Sequence, residues 1–513
     1  MHSYKNNRSK YSYFLLIFVA IKVGFNLLAI SRFGFQRDEL LHLTLGDHLD
    51  WGFKEVPPFI AFLAKITTTV FGNSVFAARI FSTIFSGLII WFAGQIVIEL
   101  GGKKFAITLA CLALIFSPAF AASGYLFQPV VFDQLWWVLT VYLLVRYMNT
   151  SLPVYMYLLG IVIGIGLLTK YTMAFFAIAL ILGLLLTKQR KILWNKHVLF
   201  AGIIAILIFL PNIIWQMTHH LPVVTHMQKL RTEQLDYIKP SDFIKQELLV
   251  NGIALFIWLI GFGFLLISAK LRRFQFLAFA FVLIFIFLLW MKGKEYYLFG
   301  AYPMLFAAGA YGFERWTKAR AYALRTIVIL LFTVPNLLLF PLALPILPLN
   351  QTMAAFRFLH ITTKWEDQKE HYLSQDYADM LGWDEMTEKV AKAYYTLTPE
   401  QQKHTQIYAD NYGEAGAIHH IGKQYHLPDV ACLNSSFTLW TPDSLNAHYI
   451  IYVDDQGGKN VQKFKSLLDS CVKIGEIEFP YAREKGTGIF LLVNPKPEVN
   501  RVYMKELAQK RLE

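Results

Sequence analysis

Charge is scarce in this chain of 513 residues. Asp, Glu, Lys and Arg make up 16% of it, where soluble domains carry roughly 25%. So small a share excludes a protein that faces water along its whole length. Cysteine is scarcer still: three residues, with no CxxC spacing, offer no disulfide framework and no thiolate metal site. Cys111 lies in an apolar run, while Cys432 and Cys471 fall in a polar tail, where an oxidising compartment would let them pair. A Walker loop, a GxGxxG after a strand and a GxSxG are all missing. Their absence argues against nucleotide binding and against a serine nucleophile. Internal repeats and low-complexity segments are missing too.

What fills the chain instead is hydrophobic: 56% of the residues, with Phe alone occurring 43 times. The apolar residues come in runs of about 20, the length that crosses a bilayer. The expected fold is an α-helical polytopic membrane protein. Eleven spans are expected, at about 12–31, 75–99, 105–124, 130–148, 153–169, 172–187, 197–216, 248–269, 274–291, 296–313 and 322–347. Lys5, Arg8 and Lys10 precede an apolar run from Tyr11, and no small-x-small cleavage site follows before Arg32. This segment reads as an uncleaved first helix rather than a signal peptide. Lys22, in its middle, has no evident partner.

The formal net charge is +13 and the pI about 9.3. Residues 1–349 hold 30 basic and 13 acidic side chains, residues 350–513 hold 18 and 22. Because the basic excess sits in loops beside apolar spans, membrane topology explains it better than nucleic-acid binding. With the N-terminus in the cytoplasm, the internal loops carry 17 basic residues against two acids, Glu99 and Glu314. An odd number of spans then puts the tail outside, as expected for a protein of the bacterial inner membrane.

The chain accordingly divides into a transmembrane domain, 1–349, and an extracytoplasmic soluble α/β domain, 350–513. In the latter "QIYADN", "HYIIYVDD" and "GIFLLVN" read as short buried strands and "TEKVAKAYYTL" as a helix. Pro341, Pro345 and Pro348 are expected to break the last span. Two external segments are long, 32–74 and 217–247; the stretch Phe59–Phe71 in the first is too short to span and suits the interface or a re-entrant turn.

Ionisable groups next to a membrane are costly, so clusters of them beside spans are candidates for function. The richest is "FQRDELLHLTLGDHLDWGFKEVPP", just past the first span. On a helix Asp38 and His42 share a face, Glu39 is splayed aside and Arg37 precedes them. A carboxylate there suits proton abstraction from a hydroxyl nucleophile; a solvated amphipathic helix is the plain alternative. Asp133 is a lone acid among aromatics at the mouth of the fourth span, and Lys170 a lone cation at a helix end, where snorkelling competes with function. Lys292 and Lys294 stand beside Tyr296 and Tyr297, a combination that suits a phosphate group as well as an interfacial aromatic belt. His219, His220 and His226 offer nitrogen ligands to a divalent metal ion, with no diagnostic spacing.

"RDELLHLTLGDHLDWGFKEVPP" resembles the first external loop of the GT-C class of membrane glycosyltransferases, and within it the ArnT-like, protein-mannosyltransferase-related enzymes. "GNSVFAARIFSTIFSG", "LTKYT", "LPNIIW" and "KGKEYYLFGAYPMLFAAGA" follow in the order of similar stretches there, and "NYGEAGAIHHIGKQYHLP" resembles the family's external tail. The likeness covers nearly the whole chain. It implies inverting transfer of one sugar from a polyprenyl-phosphate carrier to a lipid, polysaccharide or protein acceptor outside the membrane. Asp38 matches the acid taken as base, Glu39 stands beside it, Asp133 matches a second acid, and Lys294 and Tyr296 match positions near the carrier phosphate. That phosphate is expected among Lys170, Lys294, Tyr296 and Tyr297, at external helix ends. Val56 departs from the pattern, since relatives often carry histidine before the Pro57-Pro58 pair. The rival classes are a transporter or flippase of a lipid-linked or soluble solute, expected to place charges at mid-membrane, and a membrane sensor, which has no need of the Asp38–Glu39 pair.

Overall fold

The computed structural model describes residues 2–317 and 321–512, with side chains from Tyr11 onward. Of the basic residues expected in internal loops, Lys5, Arg8, Lys10, Lys318 and Arg320 lie outside the described side chains. The chain divides into two compact units, 1–30 with 79–215 and 227–346, and 31–78 with 216–226 and 347–513. The tail thus shares its unit with both the segment after the first span and a short piece near residue 220, which the expected division at 349/350 had separated from it.

The first unit is helical. Among the described residues six helices are long and apolar enough to cross a membrane: Tyr11–Ala29, Val75–Leu100, Pro129–Thr150, Lys196–Thr218, Arg272–Trp290 and Tyr322–Ala343. Two further helix pairs, bent by 120° at Leu185/Lys188 and by 97° at Leu249/Gly252, raise the number to eight if each is one span. The expected runs are helical at their places, yet several are shorter than a span. The run at 105–124 breaks at Ser117-Pro118 into Lys104–Ile115 and Pro118–Ala122, and the run at 296–313 opens with a 3-10 turn, Glu295–Ala301. Proline starts a helix readily because its missing N–H is an orphan there anyway. The last helix runs through Pro341 to Ala343. It ends at Leu344, extended as residues before proline tend to be.

Lys22 has a partner after all. Its Nζ donates to the Phe120 carbonyl at 2.9 Å, near the end of the short helix Pro118–Ala122. At the charged end of the bundle Arg146 pairs with Glu99 at 2.8 Å, and Asn149 donates to the same carboxylate at 2.7 Å.

The second unit is built on a five-stranded mixed sheet. A hairpin of Thr363–Lys364 (β1) and Glu370–His371 (β2) precedes it. The sheet consists of Thr405–Ala409 (β3), Val430–Ala431 (β4), Tyr449–Asp454 (β5), Ser470–Glu476 (β6) and Gly488–Val493 (β7), in spatial order β4-β3-β5-β7-β6. β3 pairs in parallel with β4 and β5, while β7 is antiparallel to β5 and β6. β5 is central and covered on both faces, which is why it reads as an unbroken apolar run. "QIYADN", "HYIIYVDD" and "GIFLLVN" supply β3, β5 and β7, and "TEKVAKAYYTL" most of the last turns of the helix Trp383–Tyr395.

The two tail cysteines are free. Cys432 follows β4 at one edge of the sheet and Cys471 lies on β6 at the other. Four strand spacings of about 4.8 Å separate those edges, far beyond the reach of a disulfide.

Segment 31–78 is tied to the tail by polar bonds. Lys423 Nζ meets Asp47 at 2.5 Å with His419 at 3.1 Å, and Lys54 N donates to Ser436 Oγ at 3.0 Å. The hydrogen bond from His419 and the charge of Lys423 hold the Asp47 carboxyl well below the usual range, against its burial. Phe59–Val70 is a short helix with Ile60, Leu63 and Ala64 buried and Phe62 and Val70 exposed.

Candidate active site

The segment after the first helix turns at Gln36 and enters the helix Arg37–Leu45. A capping box starts it: the Gln36 side chain accepts from Asp38 N at 2.7 Å, and Glu39 Oε2 accepts from Gln36 N at 2.8 Å. Glu39 is fully buried and spends one oxygen on the helix start. Asp38 stands beside it, half-buried, and His42 lies buried one turn later.

A second helix, Tyr412–His420, packs on the first. Its Asn411 cap accepts from Gly413 N and Glu414 N. A Cβ at Gly416 would lie 2.9 Å from the Leu40 backbone, and one at Gly413 would lie 2.6 Å from Arg37 Cγ. Two glycines three residues apart therefore make the contact possible. The contact delivers Tyr412, whose hydroxyl donates to Asp38 Oδ1 at 2.8 Å. Burial, and then the Asp38 carboxylate, push the Tyr412 phenol well above its ordinary value, so it stays a donor.

Alternating charges surround this pair. The Arg37 guanidinium sits 4.6 Å over the Tyr412 ring and 3.8 Å from Glu484. Arg483 bonds Asp379 at 3.1 Å and Glu366 at 2.5 Å. Burial would lower the Arg37 value, but Tyr412, Glu484, Asp379 and Asp38 together raise it above the ordinary guanidinium range. Burial pushes the Asp379 carboxyl up to about 7 against the pull of Arg483. A carboxylate on a helix start, fixed by a phenol and faced by a guanidinium, is equipped to accept a proton from a hydroxyl.

A separate group assembles in the first unit. Asp133 accepts from Trp137 Nε1 at 3.0 Å and from Thr172 Oγ1 at 2.7 Å. The turn Glu295–Ala301 docks on the Trp137 ring, where a Cβ at Gly300 would lie 2.7 Å from Trp137 Cγ. That docking brings Tyr296 and Tyr297 over Lys170, whose Nζ is 4.6 and 4.5 Å from their ring centres. Lys294 Nζ lies 6.0 Å from the Tyr296 ring, and Asp133 and Lys294 are the charges that Lys170 feels. Lys170 and the Lys294–Tyr297 stretch, which stand at separate helix ends, thus form one cluster. Lys292 turns away instead and pairs with Asp236 at 3.3 Å.

His219 and His220 are exposed at a helix end, and His219 Nδ1 lies 3.2 Å from Thr218 Oγ1. Among the described residues the carboxylates within 4.8 Å of one another are elsewhere, at Asp410, Asp454 and Asp455. Asp410 accepts from Tyr452 and Asn460, and Asp454 from the N–H groups of Gln456, Asn460 and Val461. These bonds latch the turn after β5. The sequence reading missed Tyr412, Asp379, Arg483 and Glu484. Only the likeness of "NYGEAGAIHHIGKQYHLP" to a family tail touched Tyr412, and nothing along the chain links it to residue 38.

With that geometry in hand, comparison with known structures defines the class. The crystal structure of ArnT from Cupriavidus metallidurans bound to undecaprenyl phosphate is similar, with a TM-score of 0.60 and 13% identity, covering 94% of this chain and 98% of that one. The Archaeoglobus fulgidus oligosaccharyltransferase in complex with zinc and sulfate has a TM-score of 0.50 and 13% identity, covering 87% of this chain and 69% of that one. The fold is that of the GT-C class of membrane glycosyltransferases. More particularly, residues 55–215 match the family described as dolichyl-phosphate-mannose-protein mannosyltransferase, in keeping with the expected resemblance. No curated protein sequence matches the chain.

Proposed function

We propose that this protein transfers a single sugar, with inversion, from a polyprenyl-phosphate carrier to a hydroxyl on the outer side of the bacterial inner membrane. The observation that carries the proposal is the Asp38 carboxylate, set on a capped helix start and held by Tyr412 at 2.8 Å. The likeness to an ArnT structure bound to undecaprenyl phosphate supports the donor class. In the reaction the acceptor oxygen attacks the anomeric carbon, whose bond to the carrier phosphate breaks. The acceptor proton passes to Asp38, and the carrier leaves as its phosphate. Lys170 and Lys294 hold that phosphate, with the Tyr296 and Tyr297 hydroxyls beside them, where developing charge needs fixed donors. Asp133 positions Lys170.

The topology belongs to the same proposal: eleven membrane segments, N-terminus inside, tail outside, on the strength of the internal loops' 17 basic residues against two acids. A transporter is less favoured. Its broken helices carry charge at mid-membrane, whereas one bend here leads into the basic turn Lys188–Trp194 and the other follows the polar helix Pro240–Leu249.

The test is transfer in vitro from purified polyprenyl-phosphate sugars. Asp38→Asn keeps the shape and removes the charge, so it should lose roughly 10²–10⁴-fold in turnover, the usual share of a positioned base, while donor affinity stays. Near-normal turnover by the folded variant would remove Asp38 from the chemistry.

A further inference from the structure

In the second unit a cavity of about 640 Å³ opens beside the helix that carries Asp38, within the roughly 300–1,000 Å³ of small-molecule sites. Arg37 and Asn411 line it. The residues that follow them in the chain, Asp38 and Tyr412, share the 2.8 Å hydrogen bond. Cavity and carboxylate are therefore built on the same two helix starts.

The lining has a distinct chemistry. Trp365 stacks flat on His371, 3.6 Å between ring centres at 12°, and its Nε1 is anchored on the Leu373 carbonyl at 2.8 Å. Tyr372 and Tyr481 add two more rings. Around them stand four cationic and four carboxylate side chains, so the wall carries donors and acceptors of both signs and no net charge. One donor is left over: Arg37 Nε is buried without a hydrogen-bond partner, since Glu484 is 3.8 Å away. A phosphate in this space would meet as many carboxylates as cations. A sugar ring matches it: its C–H face stacks on an aromatic ring, and its neighbouring hydroxyls both donate to carboxylates and accept from guanidinium groups.

Resting on the transferase assignment above, we propose that this cavity binds the acceptor and that the acceptor is an uncharged sugar residue. A hydroxyl of that sugar would then be the nucleophile that Asp38 deprotonates.

Saturation-transfer NMR on the full-length protein in detergent tests this, with a panel of neutral hexose and N-acetylhexosamine trisaccharides as probes. At least one should receive saturation. Tyr481→Ala should weaken its binding by roughly tenfold, the upper range of one ring contact. Trp365→Ala should do the same, with Trp365→Phe restoring most of it, which separates loss of stacking from loss of the hairpin. A neutral hexosyl diacylglycerol in nanodiscs, run against the free trisaccharide, tells a glycolipid headgroup from a soluble glycan; binding of either supports the proposal. Saturation transfer only to glycerol phosphate or to a Ser/Thr peptide, or sugar binding untouched by both alanine variants, overturns it. Donor consumption by the unaltered protein is measured alongside. If donor is consumed and no sugar binds, this acceptor assignment alone falls; if no polyprenyl-phosphate sugar is consumed, the transferase assignment beneath it falls.

Discussion

Tyr412 reaches Asp38 across 374 residues of sequence, its hydroxyl 2.8 Å from Asp38 Oδ1. The bond exists because Gly416 lets the helix Tyr412–His420 close on Leu40. Two substitutions act on it from different sides. Tyr412→Phe removes the donor and keeps the packing; a hydrogen bond to a charged group contributes about 1.5–3 kcal/mol, so turnover should fall by at least roughly tenfold with little change in melting temperature. Gly416→Ala drives a methyl into the Leu40 backbone and should destabilise by about 1–3 kcal/mol, lowering both. Thermal melts beside transfer assays separate them, and equal melting losses in both variants would make Tyr412 a packing residue.

Lys294 and Lys292 are two residues apart and should behave differently. Lys294→Ala removes a cation from the cluster with Lys170 and Tyr296 and should raise the donor KM by roughly 10- to 100-fold, given the worth of a desolvated charge-assisted contact. Lys292→Ala breaks only the exposed pair with Asp236, worth about 0–1 kcal/mol, and should leave donor use unchanged. Equal effects would assign both lysines to the interface.

His420 makes the second unit sensitive to acid. It is buried against Phe35, with its Nε2 3.1 Å from the Asn73 carbonyl. Burial first, and then the charge of Lys423, push the imidazole down to about 4. Unfolded, it takes up a proton near its ordinary 6.5, so the folded state binds fewer protons between these values. Stability from this residue is present above pH 6.5 and is lost as the pH falls toward 4, by on the order of 3 kcal/mol. Asp379, raised to about 7, works in the opposite sense across the same range. The difference between His420→Gln and the unaltered protein isolates the histidine: the variant's relative melting temperature should climb as the pH drops from 6.5 to 4. A flat difference would mean the site stays hydrated.

The proposed topology is open to thiol labelling. In a Cys471→Ser background, Glu478→Cys should react with an impermeant maleimide in intact cells, and Arg190→Cys only after permeabilisation. Both side chains are exposed. The reverse pattern would invert the protein in the membrane.

Much of this was legible along the chain because its causes are local. The apolar runs became helices, the short apolar segments of the tail became β3, β5 and β7, and Asp38 and His42 fell on a helix with its own capping box. Lys170 and the Lys294–Tyr297 stretch showed in the sequence as charges and phenols at helix ends. What the sequence does not show is the packing that joins them, with Gly300 seating a turn on Trp137. Tyr412, Asp379 and Arg483 were invisible for the same reason: their roles come from packing between distant segments, and a tyrosine in a small-residue helix carries no mark of its partner. The expected run at 105–124 covers two helices because hydropathy registers apolar residues on both sides of the Ser117-Pro118 break as one run.

The second unit draws its parts from 31–78, 216–226 and 347–513, and this sets an order of events during synthesis. The segment bearing Asp38 leaves the ribosome early, and its partner helix follows 374 residues later. At about 5–20 residues per second, the carboxylate waits on the order of 20 to 75 seconds for Tyr412. Throughout that interval the later helices are still being made, and Asp38 lacks its bond to Tyr412. Under the proposed role of Asp38, the nascent chain acquires its complete base only when the tail has folded, and a truncation before residue 412 should leave Asp38 without this donor.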